Sequence, residues 1–328
     1  MTVTIALGGD TMLGRGVAEE IAARGPSGLF DAGIRSAFAE ADLGVLNLEC
    51  CVSDRGHRWD TPGRPFHFRA PPAAVDVLTG LGVDCVTLAN NHALDYGHEA
   101  LCDTLDHLRR AGIQAVGAGR TQAEARTPAV LKAGEATVAV VGLTDHPPDY
   151  AATEDTPGVN YVPLESGVPL WLRRQIQDLR ATYDVVLVTP HWGPNMTTGP
   201  LPYIRAAAES LIEAGASLVA GHSAHVFHGV SGRILYDLGD LIDDYARDET
   251  LRNDLGLAYL ATITGEAAEV TAVPLALDYA HTRQANKTER TWIKNRLREA
   301  CTEFTTDVTD RDDLLTISPR EHPGSREE

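Results

Sequence analysis

The sequence predicts an α/β protein, and three observations carry that prediction. Short apolar runs rich in Val, Leu, Ile and Ala recur along the chain, and helical patterns separate them. Most of these runs stop at Gly-Asp, Asn, Glu or His, the polar punctuation of a strand entering a loop. Strands alternating with helices imply buried strands joined by crossover helices.

The elements follow in order. VTIALGGD (3–10) reads as a buried strand, LFDAGIRSAFAEAD (29–42) as a helix and LGVLNLEC (43–50) as a second strand. AAVDVLTGLGV (73–83) is a helix, and DCVTLANNH (84–92) is a third strand running into a loop. HEALCDTLDHLRRAG (98–112) is a helix with Leu101, Leu105 and Leu108 at helical spacing. Further strands are expected at 113–119, 136–145, 183–193, 216–226, 233–243 and 256–265. Two polar segments read as long surface loops of the kind that form lids or substrate walls: 53–72, with Pro62, Pro65, Pro71 and Pro72, and 145–165. NKTERTWIKNRLREACTEF (286–304) reads as a terminal helix. The expected organisation is one domain over residues 1–270, a helical extension over 271–316 packed on it, and a disordered tail over 317–328.

Composition excludes several function classes. With 328 residues and 43% apolar content, the chain is long enough for a sizeable buried core. A formal net charge of -18 argues against nonspecific binding to nucleic acid or to an anionic membrane, because phosphate contacts need clustered Lys and Arg. The opening MTVTIALGGD lacks the basic start and long apolar run of a signal peptide, and no stretch approaches the ~20 apolar residues of a membrane span. Cys50, Cys51, Cys85, Cys102 and Cys301 are odd in number and show no CxxC spacing, which fits free thiols. The expectation is a cytoplasmic protein. No GxxxxGK[ST] loop is present, so ATP-driven ligation by this chain is not expected.

The chemistry gathers at the strand ends. Asp10 follows the first strand; Asn47 and Glu49 end the second; Asn90, Asn91, His92 and Asp95 follow the third. His191 ends 183–193, and His222, His225 and His228 follow LVAG. In open α/β sheets the carboxyl ends of strands face the binding crevice, so residues distant in sequence can converge there. Each residue alone has a plain structural explanation. Asp10 can cap a helix, Asn90 and Asn91 can shape a turn, and His191 can be a satisfied core histidine. Five strand ends bearing the same residue set are better explained by one metal site. The mixture of carboxylate, amide and imidazole suits Mn, Mg, Zn or Fe, with Ca also compatible with the oxygen ligands.

GGDTMLGR (8–15), NLE (47–49), LANNHALDYG (88–97), GAG (117–119), HWG (191–193), GHSAHVFHGV (221–230) and YDLGDLIDD (236–244) resemble, in that order, the motifs of the CapA family of poly-γ-glutamate capsule synthesis. The resemblance implies a calcineurin-like metallophosphatase fold, a four-layer α/β/β/α sandwich with a metal site at the strand ends. By resemblance, Asp10, Glu49, Asn91, His191 and His222 are the metal ligands, with Glu49 the bridging carboxylate. His92, Asp95, Asp10 and His225 are the proton-transfer candidates. A divalent ion is implied, Mn, Mg or Ca first and Zn or Fe after them. Two departures stand out. The Asp-x-His of metallophosphoesterases reads Asp10-Thr11-Met12, and the family's Leu-Gly-Asn-Phe reads LGDL, placing Asp240 where an Asn is common.

Within the family the chain resembles the freestanding lasso-peptide epimerase type. That resemblance implies an enzyme inverting an α-carbon of a ribosomal precursor peptide, with a leader-binding accessory protein as partner. Such a reaction needs an electrophile for the developing enolate and two proton-transfer groups flanking the α-carbon. The same residues serve two alternatives. One is metal-dependent hydrolysis of a phosphoester, γ-glutamyl or other amide bond; the other is an accessory role in poly-γ-glutamate synthesis.

Overall fold

In the computed structural model, which describes residues 1–59 and 64–320, two β-sheets pack face to face with helices on both outer surfaces. The larger sheet runs, edge to edge, Thr306–Arg311, Leu314–Pro319, Ala267–Asp278, Leu255–Thr264, Thr2–Thr11, Leu43–Leu48, Cys85–Thr87 and Gln114–Val116. Asp240–Ile242 also pairs with Thr2–Thr11, and His281–Gln284 with Ala267–Asp278. The smaller sheet runs Val230–Ser231, Ile234–Leu235, Leu218–Ala220, Val185–His191, Ala136–Thr144 and Ala129–Ala133.

Alternation along the strands builds the layers. Val3, Ile5 and Leu7 point into the space between the sheets, where they meet Val138, Val140, Val185 and Leu187. Ala6, Leu46 and Val86 point outward onto Val17, Ile34, Phe38, Leu78 and Leu101 of four helices, Arg15–Arg24, Ala32–Ala39, Val75–Leu81 and Gly97–Arg110. On the far side Ala139, Val141, Val186 and Val188 pack on Leu172 and Ile176 of Leu170–Thr182 and on Ala208 and Leu211 of Pro202–Glu213. Burial on both faces explains why these strands read as unbroken apolar runs. The result is the expected four-layer α/β/β/α sandwich.

Several elements differ from the sequence expectation. The boundary at residue 270 falls inside the strand Ala267–Asp278, which pairs with Leu255–Thr264 from Thr264↔Ala267 to Leu255↔Ala276. Residues 271–316 are therefore not a helical extension. They continue the large sheet, and only Lys287–Cys301 is an α-helix, its N-terminus closed by an Asn286–Glu289 capping box. Ile317 pairs with Val270 and Val308, so the start of the expected tail is a strand; residues 321–328 lie outside the described residues, as does Pro62. The run 233–243 is broken rather than continuous, because Gly239 turns through a positive φ of 72° and Asp237 accepts from the Gly239 and Ala224 amides. The expected strand 216–226 ends at Ala220 for a related reason, its continuation being pulled out to line the site. Among the described residues no helix is long and apolar enough to cross a membrane.

Candidate metal centre

Parallel pairing brings the strand ends together. Asp10 lies in register with Asn47 of the second strand and with Asp240, and His191 bridges to His222. Close approach of the first strand to the 237–240 turn requires glycine: a Cβ on Gly9 would lie 1.8 Å from the Gly239 carbonyl oxygen. The Asp10 amide donates to that same oxygen at 2.9 Å, which fixes the aspartate at the mouth of the sheet.

Two sets of side chains converge. In one, Asp10 Oδ1 lies 3.8 Å from His191 Nδ1 and 3.7 Å from His222 Nδ1, and the two imidazole Nδ1 atoms are 2.8 Å apart. In the other, His225 Nδ1 lies 3.3 Å from Asp10 Oδ2, 3.9 Å from Glu49 Oε2 and 2.8 Å from Asp240 Oδ1. All six residues are buried. Of the expected ligands, Asp10, Glu49, His191 and His222 are brought together. Asn91 lies on the wall of an adjoining cleft, its Oδ1 buried and without a hydrogen-bond partner. His225 and Asp240 join the ligand cluster.

Burial dominates the electrostatics. It pushes Asp10 up to about 7 and Glu49 well above the usual carboxylate range, and neighbouring carboxylates add to the rise in Glu49. Burial holds His222 down at about 3 and His191 well below the ordinary imidazole value, with the facing histidines pushing His191 the same way. For His225, burial opposes protonation, yet Glu49 and Asp10 carry the net shift upward. Imidazoles held neutral beside clustered carboxylates are the protonation pattern a cation needs.

The residues fit a divalent cation on independent grounds. Glu49 Oε1, His191 Nε2, Asn91 Oδ1 and Asp240 Oδ2 are buried and make no hydrogen bond. Orphaned buried acceptors are costly unless something outside the chain satisfies them. Backbone strain is present here too: Ser223 and His225, neither a glycine, adopt φ of 123° and 59°.

Around the cluster, amides act as positioning groups. Asn90 Nδ2 donates to Asn47 Oδ1 at 2.9 Å, and Asn47 Nδ2 donates to Asp10 Oδ1 at 2.7 Å. Asn90 Oδ1 in turn accepts from the His92 amide. His92 Nδ1 pairs with Asp95 Oδ2 at 2.6 Å, and Asp95 also accepts from the Phe68 amide and the Tyr150 hydroxyl. The His92 ring lies against Phe68 with centroids 4.0 Å apart. Phe68 and Tyr150 come from the two segments read as surface loops, which here form walls of the site.

Two openings flank the centre. A largely apolar pocket of about 320 Å³ is lined by Phe66, Phe68, Tyr245, His92, His225 and Arg15, among others. A polar cleft of about 610 Å³ is lined by Asn91, Asp145, His146, Glu165 and Tyr203, among others, and among the described residues no Lys or Arg lines it. In the cleft His146 Nδ1 pairs with Asp145 Oδ1 at 2.5 Å, and Asp145 Oδ2 accepts from the Tyr203 hydroxyl. Asp145 and His146 follow the strand Ala136–Thr144, so the strand-end rule applied there would have found them.

A four-layer α/β/β/α sandwich with this buried ligand cluster at the carboxyl ends of its strands defines a protein with a candidate metal centre. The model of the bacterial capsule synthesis protein family, PGA_cap, matches residues 4–245, and the chain belongs to that family. A Mycobacterium tuberculosis (strain H37Rv) relative, named a probable polyglutamine synthesis accessory protein, is 31% identical, over 99% of this chain and 98% of its own length. The PGA biosynthesis protein CapA of Bacillus subtilis (strain 168) is 28% identical, over 72% of this chain and 62% of its own length. Among solved structures, a hypothetical protein from Thermus thermophilus superposes with a TM-score of 0.47 at 16% identity, covering 83% of this chain and 98% of that one.

Proposed function

We propose that this chain is a metal-dependent hydrolase acting on an amide bond of a peptide-like chain. The observation that carries the reading is the pairing of a buried ligand cluster with one oriented imidazole, His92, on the wall of an open pocket. Asp10, Glu49, His191 and His222 would hold the ion, with Asn91 as a further oxygen ligand. A divalent cation held there polarises an amide carbonyl as a Lewis acid and makes water beside it more acidic.

The protein's own groups do the rest. Asp95 fixes His92 through Nδ1 and leaves Nε2 to deliver a proton to the departing amine nitrogen. Phe68 and Tyr245 keep that wall dry. Among the described residues the lining of this cleft carries Asp145 and Glu165 and no Lys or Arg, which favours an amide over a polyphosphate there. The relatives' names make glutamate polymers the first substrates to test. The test is mass spectrometry of γ-glutamyl oligomers and unrelated peptides after incubation with Mn-loaded protein. Shortened chains support hydrolysis; no cleavage, together with turnover of a chromogenic phosphodiester, sinks the amide reading.

Epimerisation of a peptide residue is the second reading, and one observation favours it. The His146–Asp145 couple gives the site a second oriented imidazole, and inversion needs two proton-transfer groups. Incubation in D2O separates the readings, since epimerisation places deuterium at one α-carbon without cleavage. We place the reaction in the cytoplasm, with the peptide-like chain as partner, no nucleic acid, and a leader-binding accessory protein only under the second reading.

A further inference from the structure

Among the described residues, Arg15 is the one Lys or Arg in the lining of the largely apolar pocket, whereas the polar cleft has none. Arg15 opens the helix Arg15–Arg24 and adopts a φ of 50° although it is not glycine. Such strain persists only where the surroundings enforce it, and it clusters at ligand clamps. Here Asp244 enforces it. Its Oδ2 accepts from the Gly16 amide at 2.9 Å and lies 3.2 Å from Arg15 Nε. The guanidinium is flanked by aromatic rings, its Cζ 5.7 Å from the Phe66 centroid and 5.6 Å from that of Phe68. Among the described residues neither terminal nitrogen of Arg15 has a hydrogen-bond or ion-pair partner. Two strongly exposed aromatic side chains adjoin this turn. Phe66 is 58% exposed, and Tyr279 is 68% exposed with its hydroxyl over Gly16, 2.2 Å from where a Cβ would stand. Exposed aromatics beside an arginine are the composition of a binding surface rather than of an idle one.

We propose that Arg15 is a specificity-determining residue, receiving a carboxylate of the peptide-like substrate on its two free terminal nitrogens while Phe66 and Phe68 cover the apolar body of the same residue. The planar fork matches a carboxylate bidentately, and the contact of Nε with Asp244 sets the direction in which the fork points. One guanidinium whose charge is shared with Asp244 suits a single negative charge better than a phosphate dianion. Two competing arrangements exist. The substrate carboxylate could sit on the metal ion instead, or Arg15 could serve only to hold Asp244.

The inference rests on the proposed function for the nature of the substrate, and its test reads binding rather than cleavage. The probes are N-acetyl-Ala-Phe as the free acid, the same peptide as its carboxamide, and N-acetyl-Glu-Phe carboxamide, which carries its carboxylate on a side chain. Calorimetry measures their affinity for the full chain, Mn-loaded and metal-free, and for Mn-loaded Arg15→Gln and Arg15→Lys. Wild type is expected to bind one of the two acids at least ~10-fold tighter than the uncharged carboxamide, with or without Mn. Which acid is preferred tells a terminal carboxylate from a side-chain one. Arg15→Gln should abolish the preference and Arg15→Lys should weaken it, both with wild-type Mn content. Equal affinity for all three probes, no binding of any probe, a preference that survives Arg15→Gln, or one that vanishes from wild type without Mn overturns the proposal. If Arg15→Gln fails to fold, Arg15→Lys and the metal-free wild type decide. A carboxylate preference with no peptide cleaved removes the hydrolase reading and leaves the Arg15 subsite; cleavage with no preference removes the subsite alone.

Discussion

Replacing Asp95 tests how His92 is held. Asp95 is fully buried and accepts three hydrogen bonds: from the Phe68 amide at 2.7 Å, the Tyr150 hydroxyl at 2.9 Å and His92 Nδ1 at 2.6 Å. Asp95→Ala strips all three donors of their acceptor. His92 is partly exposed and recovers water, but the other two donors lie in the interior. Two buried donors left unsatisfied cost about 2–6 kcal/mol together. That is a large share of the ~5–15 kcal/mol stability of an ordinary domain. At roughly 2 °C per kcal/mol for a chain this long, the melting temperature should fall by about 4–12 °C. Asp95→Asn should fall by less. Its carboxamide oxygen can take the Phe68 and His92 donors while its NH2 group donates to Tyr150, whose hydroxyl can also accept. The loss is then that of charge in these bonds, about 1–3 kcal/mol. Thermal and urea unfolding followed by circular dichroism measures both variants. Asp95→Ala within about 1 kcal/mol of wild type, or milder than Asp95→Asn, refutes the account of Asp95 as the acceptor that fixes His92.

Other outcomes follow from the same geometry. His92→Ala should keep its full metal content and lose ~10²–10⁴ of its turnover, and loss of metal would mean that His92 is a ligand. Asp10 and Asp237 are raised from 3.8 to about 7 by burial, so the folded metal-free protein holds protons that the unfolded chain has released. Their contribution is complete below pH ~4 and is lost as pH rises through ~7. The metal-free melting temperature should therefore fall from pH 5 to pH 8, and Mn should raise it more at pH 8; a flat profile would contradict the burial of these acids. Four of the five cysteines are buried, and burial raises the thiol of Cys50 to about 12. A thiol reagent at pH 8 should modify at most Cys102 before denaturation and all five after it, whereas rapid modification of two or more in the native state would show a looser core. Gly9→Ala should cost at least ~4 kcal/mol, because its Cβ would meet the Gly239 carbonyl oxygen; a soluble variant melting like wild type would show that the turn can move.

The parts of this protein written in local pattern were readable from its sequence. VTIALGGD, LGVLNLEC and YDVVLVTPHWG are strands buried on both faces, and their polar ends point to the crevice. Asp10, Glu49, His191 and His222 could be gathered by that rule before any coordinates. What depends on partners far along the chain was not readable. Whether Asn90 or Asn91 faces the centre is decided by a hydrogen bond to Asn47, 43 residues away. Asp240 is legible in the sequence only as a departure from a common Asn, because only its pairing with the first strand brings it to His225. The strand Ala267–Asp278 was hidden by Pro274 and by a solvent-facing start, AAE, that breaks the apolar run. The segments 53–72 and 145–165 read as solvated loops on composition. Phe68 and Tyr150 are nevertheless buried, because Asp95 draws both into the site.

The central claim is that Asp10, Glu49, His191 and His222 hold a divalent ion. Elemental analysis of the purified full chain, stripped with chelator, reloaded with Mn and gel-filtered, tests it most directly beside His191→Ala and His222→Ala. The account predicts Mn retained in wild type and affinity lowered at least ~100-fold in both variants, with folding checked by circular dichroism. Folded variants that retain wild-type metal content, or a wild type that retains none, would contradict it.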